Sequence, residues 1–416
     1  MRDGPIIESL LDIDFYKLSM GQMIFHRHPK MPVTLGFINR TASVQLAETV
    51  SIGRLREELE HCRTLRFSPQ ELHFIMGTYE YEQPMFNLDY INFLKGLALP
   101  EFDLEAENGQ FKLSFSGNWA EVTCWETLAM SIVNELYYRT LMKKYSRFEC
   151  ELIEADGRIA LGNKIREIRR NPNITFSDFG TRRRFSRVWQ DYVVGTLVEE
   201  CPGQFKGTSN VFLAQKYGIM PTGTNAHELP MVYSGIYFYQ DQEDPTSTYS
   251  QRRVLADWEA EYGLGLSIFL PDTFGSDWFF DKAVRVDQLR SWKGSRQDSG
   301  VPLDYAEKRI NEYEAIGVDP VEKLIVFADG LNVEKMKEIS EALRGRIRYT
   351  FGWGTDLTND LGFKPLSIVV KAVEAAGHPV AKLSDNIAKA TGPKEAVERM
   401  KRLIGYTNTF TATCEF

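Results

Sequence analysis

Seven times between about residues 174 and 357, a short apolar or glycine-rich run ends in residues able to do chemistry. The endings are Asp178-Phe179-Gly180, Gly207-Thr208-Ser209-Asn210, Asn225-Ala226-His227-Glu228, Asp272-Thr273, Arg296-Gln297-Asp298-Ser299-Gly300, Asp329-Gly330 and Gly352-Trp353-Gly354-Thr355. Glycine N–H groups approach a phosphate closely, and a following helix N-terminus adds a favourable dipole. Gly330, Gly352, Gly354 and Thr355, with Asp329, therefore form a candidate phosphate site. Ordinary strand-to-helix turns also favour Gly and Asp, so composition alone does not choose between the readings. Position does: the loops after the last strands of a parallel α/β barrel are its usual phosphate site.

Among the six histidines (His26, His28, His61, His73, His227 and His378), His227 alone lies among these polar endings, beside Glu228. A lone histidine is more often packed or superficial, but this placement predicts nucleophilic or acid–base work. His26 and His28 precede Pro29 and read as exposed loop residues. No two histidines have the i, i+4 spacing of a metal pair, so no directly bound metal is predicted. Asp272, Asp298 and Asp329 are suited to hold Mg²⁺ through its retained waters or to bind ribose hydroxyls, with helix N-capping as the alternative. In Arg182-Arg183-Arg184, a planar guanidinium suits phosphate. Two of the three read as a solvated charge run. At least one is expected to face an anion, because a helix start disfavours cations.

Parallel strands joined by helices must position such endings, since active sites of these barrels gather at the C-terminal strand ends. Seven candidate strands alternate with helical stretches at 186–200, 209–217, 277–290, 304–315 and 332–343. The connection from about 228 to 262 is long, and its helix at Gln251–Glu261 is expected to pack outside the core. Before this region, Phe111, Leu113 and Phe115 alternate with polar residues, and Ala120, Val122 and Cys124 repeat the pattern after Ser116-Gly117-Asn118, which predicts a hairpin. Leu128 to Lys144 reads as a helix. From 365 onward two strands flank Gly377-His378-Pro379, a second hairpin expected to rejoin the N-terminal zone. The fold class is thus α/β, with a flanking domain from 1–145 plus 365–416 and a barrel domain over 146–364.

Lys+Arg 49 against Asp+Glu 57 leaves a net charge of −8, which argues against duplex nucleic acid and leaves room for a local basic pocket. The cysteines, Cys62, Cys124, Cys150, Cys201 and Cys414, are odd in number and widely spaced, as in a reduced cytoplasmic protein. Charged residues such as Arg2, Asp3, Glu8 and Lys17 interrupt any secretory segment, and no run approaches the ~20 apolar residues of a membrane span. A soluble cytoplasmic protein is expected.

Eight stretches, in order, give the sequence a specific likeness: SLLDIDFYKLSM (9–20), SDFGTRRRFSR (177–187), GTSNVFLA (207–214), PTGTNAHE (221–228), RQDSG (296–300), FGWGT (351–355), KPLSIVVK (364–371) and VAKLSD (380–385). Along nearly its whole length the chain resembles bacterial nicotinate phosphoribosyltransferases, of the type II phosphoribosyltransferase family. The resemblance implies an irregular seven-stranded α/β barrel beside a domain from both chain ends, in a homodimer with shared active sites. It implies that nicotinate stacks between Phe179 and the Tyr16 of a neighbouring subunit, with Arg296 on its carboxylate. It further implies that Thr208, Ser209 and Ser299 join the substrate contacts, and that Arg182 and the Gly330 and Gly352–Thr355 loops hold phosphates of phosphoribosyl pyrophosphate. His227, with Asp272 and Asp298, would take a phosphoryl group from ATP, with Mg²⁺ arriving on substrate, to form nicotinate mononucleotide and diphosphate in NAD salvage.

Related nicotinamide enzymes carry an Asp soon after the Gly-Thr of the second strand, where this chain has Ser209-Asn210, which favours the acid over the amide. The sequence departs from better-known bacterial members at 229–250 and at LGFINRT (35–41). A nicotinamide enzyme and a non-catalytic pyridine- or nucleotide-binding protein are the alternatives. A generic sugar-phosphate barrel enzyme would need a Schiff-base lysine at a strand end, whereas Lys206 and Lys293 lie before the loops.

Overall fold

The computed structural model describes residues 4–80, 82–243 and 249–412. Strands are numbered here in chain order: β1 Pro32–Asn39, β2 Phe102–Glu107, β3 Gln110–Asn118, β4 Phe176–Asp178, β5 Phe205–Thr208, β6 Ile268–Phe269, β7 Gly294–Gln297, β8 Leu324–Phe327, β9 Arg348–Trp353, β10 Ile368–Ala375 and β11 His378–Pro379. β4 to β9 form a six-stranded parallel sheet in the order β5-β4-β9-β8-β7-β6. Parallel strands require crossovers, and helices such as Arg187–Glu200, Val211–Tyr217, Pro302–Ala315 and Val333–Leu343 supply them. The remaining strands form an antiparallel sheet, β11-β10-β1-β3-β2, in which β10 from the C-terminal part pairs with β1.

Several expectations need correction. The run around Pro221 forms no seventh strand; it makes a single parallel bridge, Thr208 to Pro221. Pro221 has no N–H to give a ladder, and Thr222-Gly223-Thr224 offers little apolar surface to bury. Gly207 permits the approach, since a Cβ there would lie 2.4 Å from the Met220 carbonyl oxygen. The first hairpin pairs β3 with β2, not with Ala120–Cys124. Its turn is Asn108-Gly109, both at positive φ as a tight two-residue turn requires. Trp119–Val122 is a helical turn followed by the helix Trp125–Met142. Trp119, Ala120, Val122, Cys124 and Trp125 are all buried, and burial on every side hides the helical period. The stretch 277–290 is broken into Ser276–Trp278, a wider turn at Phe279–Ala283 and a helix at Val286–Ser291.

Neither His26 nor His28 is exposed, and only His28 lies outside a helix. His26 lies in the helix Tyr16–Arg27 and bridges Glu261 (2.7 Å) and Asp89 (3.1 Å), while His28 packs on Trp119 and Tyr233. In the 228–262 connection, Glu228–Ile236 is buried almost throughout and Tyr249–Tyr262 packs against it, so this segment is part of the core. Residues 244–248 of the divergent 229–250 stretch, and Cys414, lie outside the described residues. Cys62, Cys124, Cys150 and Cys201 are free thiols. Among the described residues no helix is long and apolar enough to cross a membrane.

The N-terminal stretch is stitched to the parallel sheet. Phe15 N donates to Ser209 O (2.7 Å), Val211 N to Ile13 O (3.0 Å) and Phe212 N to Leu11 O (2.9 Å). Beneath this ladder the wholly buried Arg184 grips Asp12 with two bonds of 2.6 and 2.7 Å, and Asn210 Nδ2 donates to the same carboxylate at 2.7 Å. The expectation that two of the three arginines are solvated is therefore overturned: Arg184 is structural, and Arg182 and Arg183 both line the cavity described below. Asp12→Asn leaves the buried guanidinium uncompensated and is expected to cost about 3–5 kcal/mol. Urea unfolding should show a lower midpoint with an unchanged slope; an unaltered midpoint would show that the pair is dispensable.

Candidate active site

Two adjoining cavities meet at the C-terminal ends of the parallel strands, where they share Tyr16, Phe179, Arg182 and Arg296, and the larger extends to the opposite strand ends at Asn173, Leu324 and Arg348. The larger, about 670 Å³, runs back between the strands past Ile268, Val326 and Phe351. The smaller, about 370 Å³, is lined by His227, Asp298 and Asp329 together with Gly330, Gly352, Gly354 and Thr355. Loops far apart in the chain thus meet at one rim, as their sequence positions predicted.

At the shared end, Phe179 follows β4 and its ring lies on bare Gly352: a Cβ on that glycine would come within 2.3 Å of the ring. Arg296 sits over the Phe179 ring at 5.7 Å and Arg182 over the Tyr16 ring at 5.4 Å. Arg182 Nε is held by Asp14 at 2.9 Å, and Arg296 Nη2 by Asp298 at 3.0 Å. Arg296 Nε is buried with no partner among the described residues. Tyr16 of the same chain lines this shared end, where the resemblance implied the ring of a neighbouring subunit.

His227 caps the helix Glu228–Ile236 and is 4 % exposed. Its Nδ1 lies 3.0 Å from Thr273 Oγ1 and its Nε2 2.9 Å from Asp298 Oδ2, with Asp272 Oδ1 at 3.7 Å. Burial, aided by Lys382, lowers its pKa to about 4 against the pull of Asp272 and Asp298. The imidazole is therefore neutral at physiological pH and keeps one lone pair. Asp272 is itself held by Lys382 Nζ (3.2 Å) and by Ser299 Oγ (2.7 Å). His227, Asp272 and Asp298 offer donor atoms within 4.8 Å of one another, an arrangement the histidine spacing did not reveal. Lys382 and Arg296 already compensate those carboxylates.

Three predicted residues stand behind or beside the wall. Thr208 is buried and donates to Asp178 Oδ2 at 2.7 Å, and Ser299 is turned to Asp272. Ser209 lines the larger cavity but donates to Asp14 Oδ1 at 2.6 Å. Asp329 pairs with Lys389, and burial pushes its carboxyl above the usual range. Sequence reasoning missed most of the cations around the smaller cavity: Arg40, Arg183, Lys371, Lys382 and Lys389. Lys371 and Lys382 fall inside two of the matched stretches, but nothing local marks them as phosphate ligands.

A model of the nicotinate phosphoribosyltransferase (NAPRTase) family matches residues 174–408, and one of the NAPRTase N-terminal domain matches residues 11–134. The chain is 31% identical to the crystal structure of nicotinate phosphoribosyltransferase from Porphyromonas gingivalis, covering 96% of this chain and 100% of that one at a TM-score of 0.84. It is also 31% identical to the enzyme of that name from Vibrio cholerae, over 97% and 95% of the two chains, again at 0.84. The chain belongs to the nicotinate phosphoribosyltransferase family. The N-terminal family match contains Tyr16, Arg40 and Glu126, and the longer one contains Phe179, Arg182, His227, Arg296 and the lysines from 371 to 389, so the rim draws on both.

The histidine titration can be observed directly. The native imidazole takes its proton near pH 4, while the unfolded chain does so near 6.5. Between these values the unfolded state binds more protons, so His227 makes stability fall as pH drops from about 6.5 towards 4. In ¹⁵N-histidine spectra, the signal lost in His227→Ala should show a midpoint near pH 4. A midpoint at 6 or above, an ordinary value for histidine at roughly 6.5, would contradict the burial argument.

Proposed function

We propose that the protein makes nicotinate mononucleotide and diphosphate from nicotinate and phosphoribosyl pyrophosphate, coupled to ATP through a phosphorylated His227. The observation that supports this best is a single rim joining an arginine-flanked aromatic slot to a cation-ringed, glycine-floored cavity, with a buried neutral imidazole on its wall. A flat pyridine stacks between Phe179 and Tyr16. Around the slot, Arg182 is held by Asp14 and Arg296 by Asp298, and the buried Arg296 Nε, which has no hydrogen-bond partner among the described residues, is left to donate to a carboxylate. The Asp expected of nicotinamide enzymes has no counterpart there, since Asn210 is turned to Asp12.

The pyridine nitrogen carries its own lone pair, so attack on the ribose C1 needs no general base. As the pyrophosphate leaves, negative charge grows on its oxygens. Lys371, Lys382, Lys389, Arg40 and Arg183 surround the cavity where that charge develops. Asp272 Oδ1 is buried without a hydrogen bond among the described residues, so Asp272 with Asp298 would hold a substrate-borne hydrated Mg²⁺, which supplies further charge neutralisation. The ionised Asp298 can only accept, so the neutral imidazole keeps its proton on Nε2 and its lone pair on Nδ1, beside the Thr273 hydroxyl; phosphoryl transfer would use Nδ1 once that hydroxyl turns away, with Asp298 holding the Nε2 proton.

Three further readings belong to this proposal. The parallel sheet closes as an irregular barrel through the Pro221 bridge. The domains divide at 1–145 plus 365–416 and at 146–364. The protein works as a cytoplasmic homodimer, for which Phe148, Leu152 and Ile159, exposed along the helix Arg147–Arg170, supply an apolar stripe.

Product formation from nicotinate and phosphoribosyl pyrophosphate, with and without ATP, tests the reading. ATP should accelerate the native protein and leave His227→Ala at its slow basal rate, with nicotinamide a poor substrate for both. A stimulated variant would remove His227 from the phosphoryl step, and preference for nicotinamide would refute the substrate assignment. Gly352→Ala should displace the Phe179 ring and raise the KM for nicotinate roughly tenfold or more, as loss of about 1.4 kcal/mol of ring contact implies; an unchanged KM would remove Phe179 from the pyridine slot.

A further inference from the structure

Beneath the rim lies a knot of buried charge whose centre, Glu126 with Lys17 and Glu228, the reaction chemistry above does not use. Glu126, 1 % exposed, sits at the start of the helix Trp125–Met142. Its Oε1 accepts from Lys371 Nζ at 2.7 Å, with Arg182 Nη1 at 3.9 Å. Its Oε2 is 2.6 Å from Lys17 Nζ and accepts from the Tyr16 hydroxyl at 3.3 Å. Lys17 continues to Glu228 Oε2 at 2.7 Å, and Glu228 is anchored by Trp119 Nε1 (2.7 Å) and Thr123 Oγ1 (2.6 Å). One carboxylate therefore touches the pyridine slot through Tyr16, the phosphate cavity through Lys371, and the residue next to His227 through Lys17.

We propose that Glu126 is a positioning residue that couples the two halves of the site, sharing Lys371 with the phosphate and Tyr16 with the pyridine slot. This rests on the functional reading above. Without an anion in the cavity, Glu126 holds the Lys371 ammonium itself. A bound phosphate competes for that ammonium. The carboxylate, relieved of one partner, then binds the Tyr16 hydroxyl and the Arg182 guanidinium more strongly, and these are the groups that shape the slot. Phosphate occupancy thus prepares the slot for a pyridine, and by linkage the reverse holds. Lys371 is faced by Glu126 from its helix, by Arg182 after β4 and by Lys382 from the C-terminal loop, and burial brings its pKa down to about 8. Loss of the Glu126 charge would lower it further, since that carboxylate is what opposes desolvation.

Calorimetry on the full chain with inorganic pyrophosphate and nicotinate tests the coupling. In the native protein, saturating pyrophosphate should tighten nicotinate binding by roughly 5–100-fold, the ordinary range of a coupling free energy. In Glu126→Gln and in Tyr16→Phe, which keeps the ring and loses the hydroxyl, that factor should fall to near one. Pyrophosphate affinity should also weaken as pH rises through about 8, and Glu126→Gln should move this loss to lower pH. Lys371→Met supplies the reference for the ligand's own ionisation. If Glu126→Gln does not fold, Tyr16→Phe and Lys371→Met carry the coupling measurement. Coupling retained in the variants, or absent from the native protein, overturns the proposal. A native protein that binds pyrophosphate but not nicotinate refutes the functional reading instead. The pyrophosphate profiles alone then judge the Lys371 half, which an unshifted Glu126→Gln profile would sink.

Discussion

The arrangement depends on a charge pair taken out of water: Asp12 and Arg184, joined by bonds of 2.6 and 2.7 Å beneath the ladder that ties residues 11–15 to residues 209–212. A buried pair of this kind gains little net stability over an apolar one, but each partner becomes costly without the other. It therefore specifies more than it stabilises. With Asp12 fixed, Asp14 falls beside Ser209 and Arg182, Tyr16 falls at the cavity wall it shares with Phe179, and Lys17 falls between Glu126 and Glu228. Three functional positions within five residues are set by one anchor.

The electrostatics of the rim follow from the same economy. Carboxylates and cations alternate around it, each held by the next, so the charges there are paired before a ligand arrives, while single atoms such as Arg296 Nε and Asp272 Oδ1 stay without a hydrogen bond among the described residues. Asp298 is shared by Arg296 and His227, Asp272 by Lys382 and Ser299, and Glu126 by Lys371 and Lys17. Such preorganised partners can be handed to a polyanion with little reorganisation, which is how fixed charge aids a leaving group.

Much of this was legible along the chain, and for identifiable reasons. Strand ends declare themselves because Gly and Asp follow apolar runs where a backbone must turn, and all the predicted loops but the one around Pro221 do follow strands. The glycine floor and Arg296 were readable on that basis, whereas His227 was picked out by its polar neighbours after a run that forms no strand. The seventh strand was not, because Pro221 and Gly223 withhold the side chains and the N–H that make a ladder. Trp119–Trp125 misled because a helix buried on every side shows no period. Two of the three arginines read as solvated, since nothing in RRR distinguishes a buried guanidinium from an exposed one; the partner of Arg184 lies 172 positions away. Lys371, Lys382, Lys389 and Arg40 were silent for the same reason: a phosphate cation needs only a long side chain and a nearby cavity, and neither leaves a local pattern.

The pairing of β10 with β1 has a consequence for biosynthesis. The parallel sheet is complete once Trp353 has emerged, yet Lys371 enters with β10, and Lys382 and Lys389 follow later still. Closing contacts between the two chain ends is the slow kind of event in folding. A ribosome-bound intermediate would carry the strand-end loops and the imidazole but only part of their cationic surround. Its grip on a polyphosphate would be incomplete until β10 and the segment behind it had docked, so ligand affinity reports on closure of the antiparallel sheet.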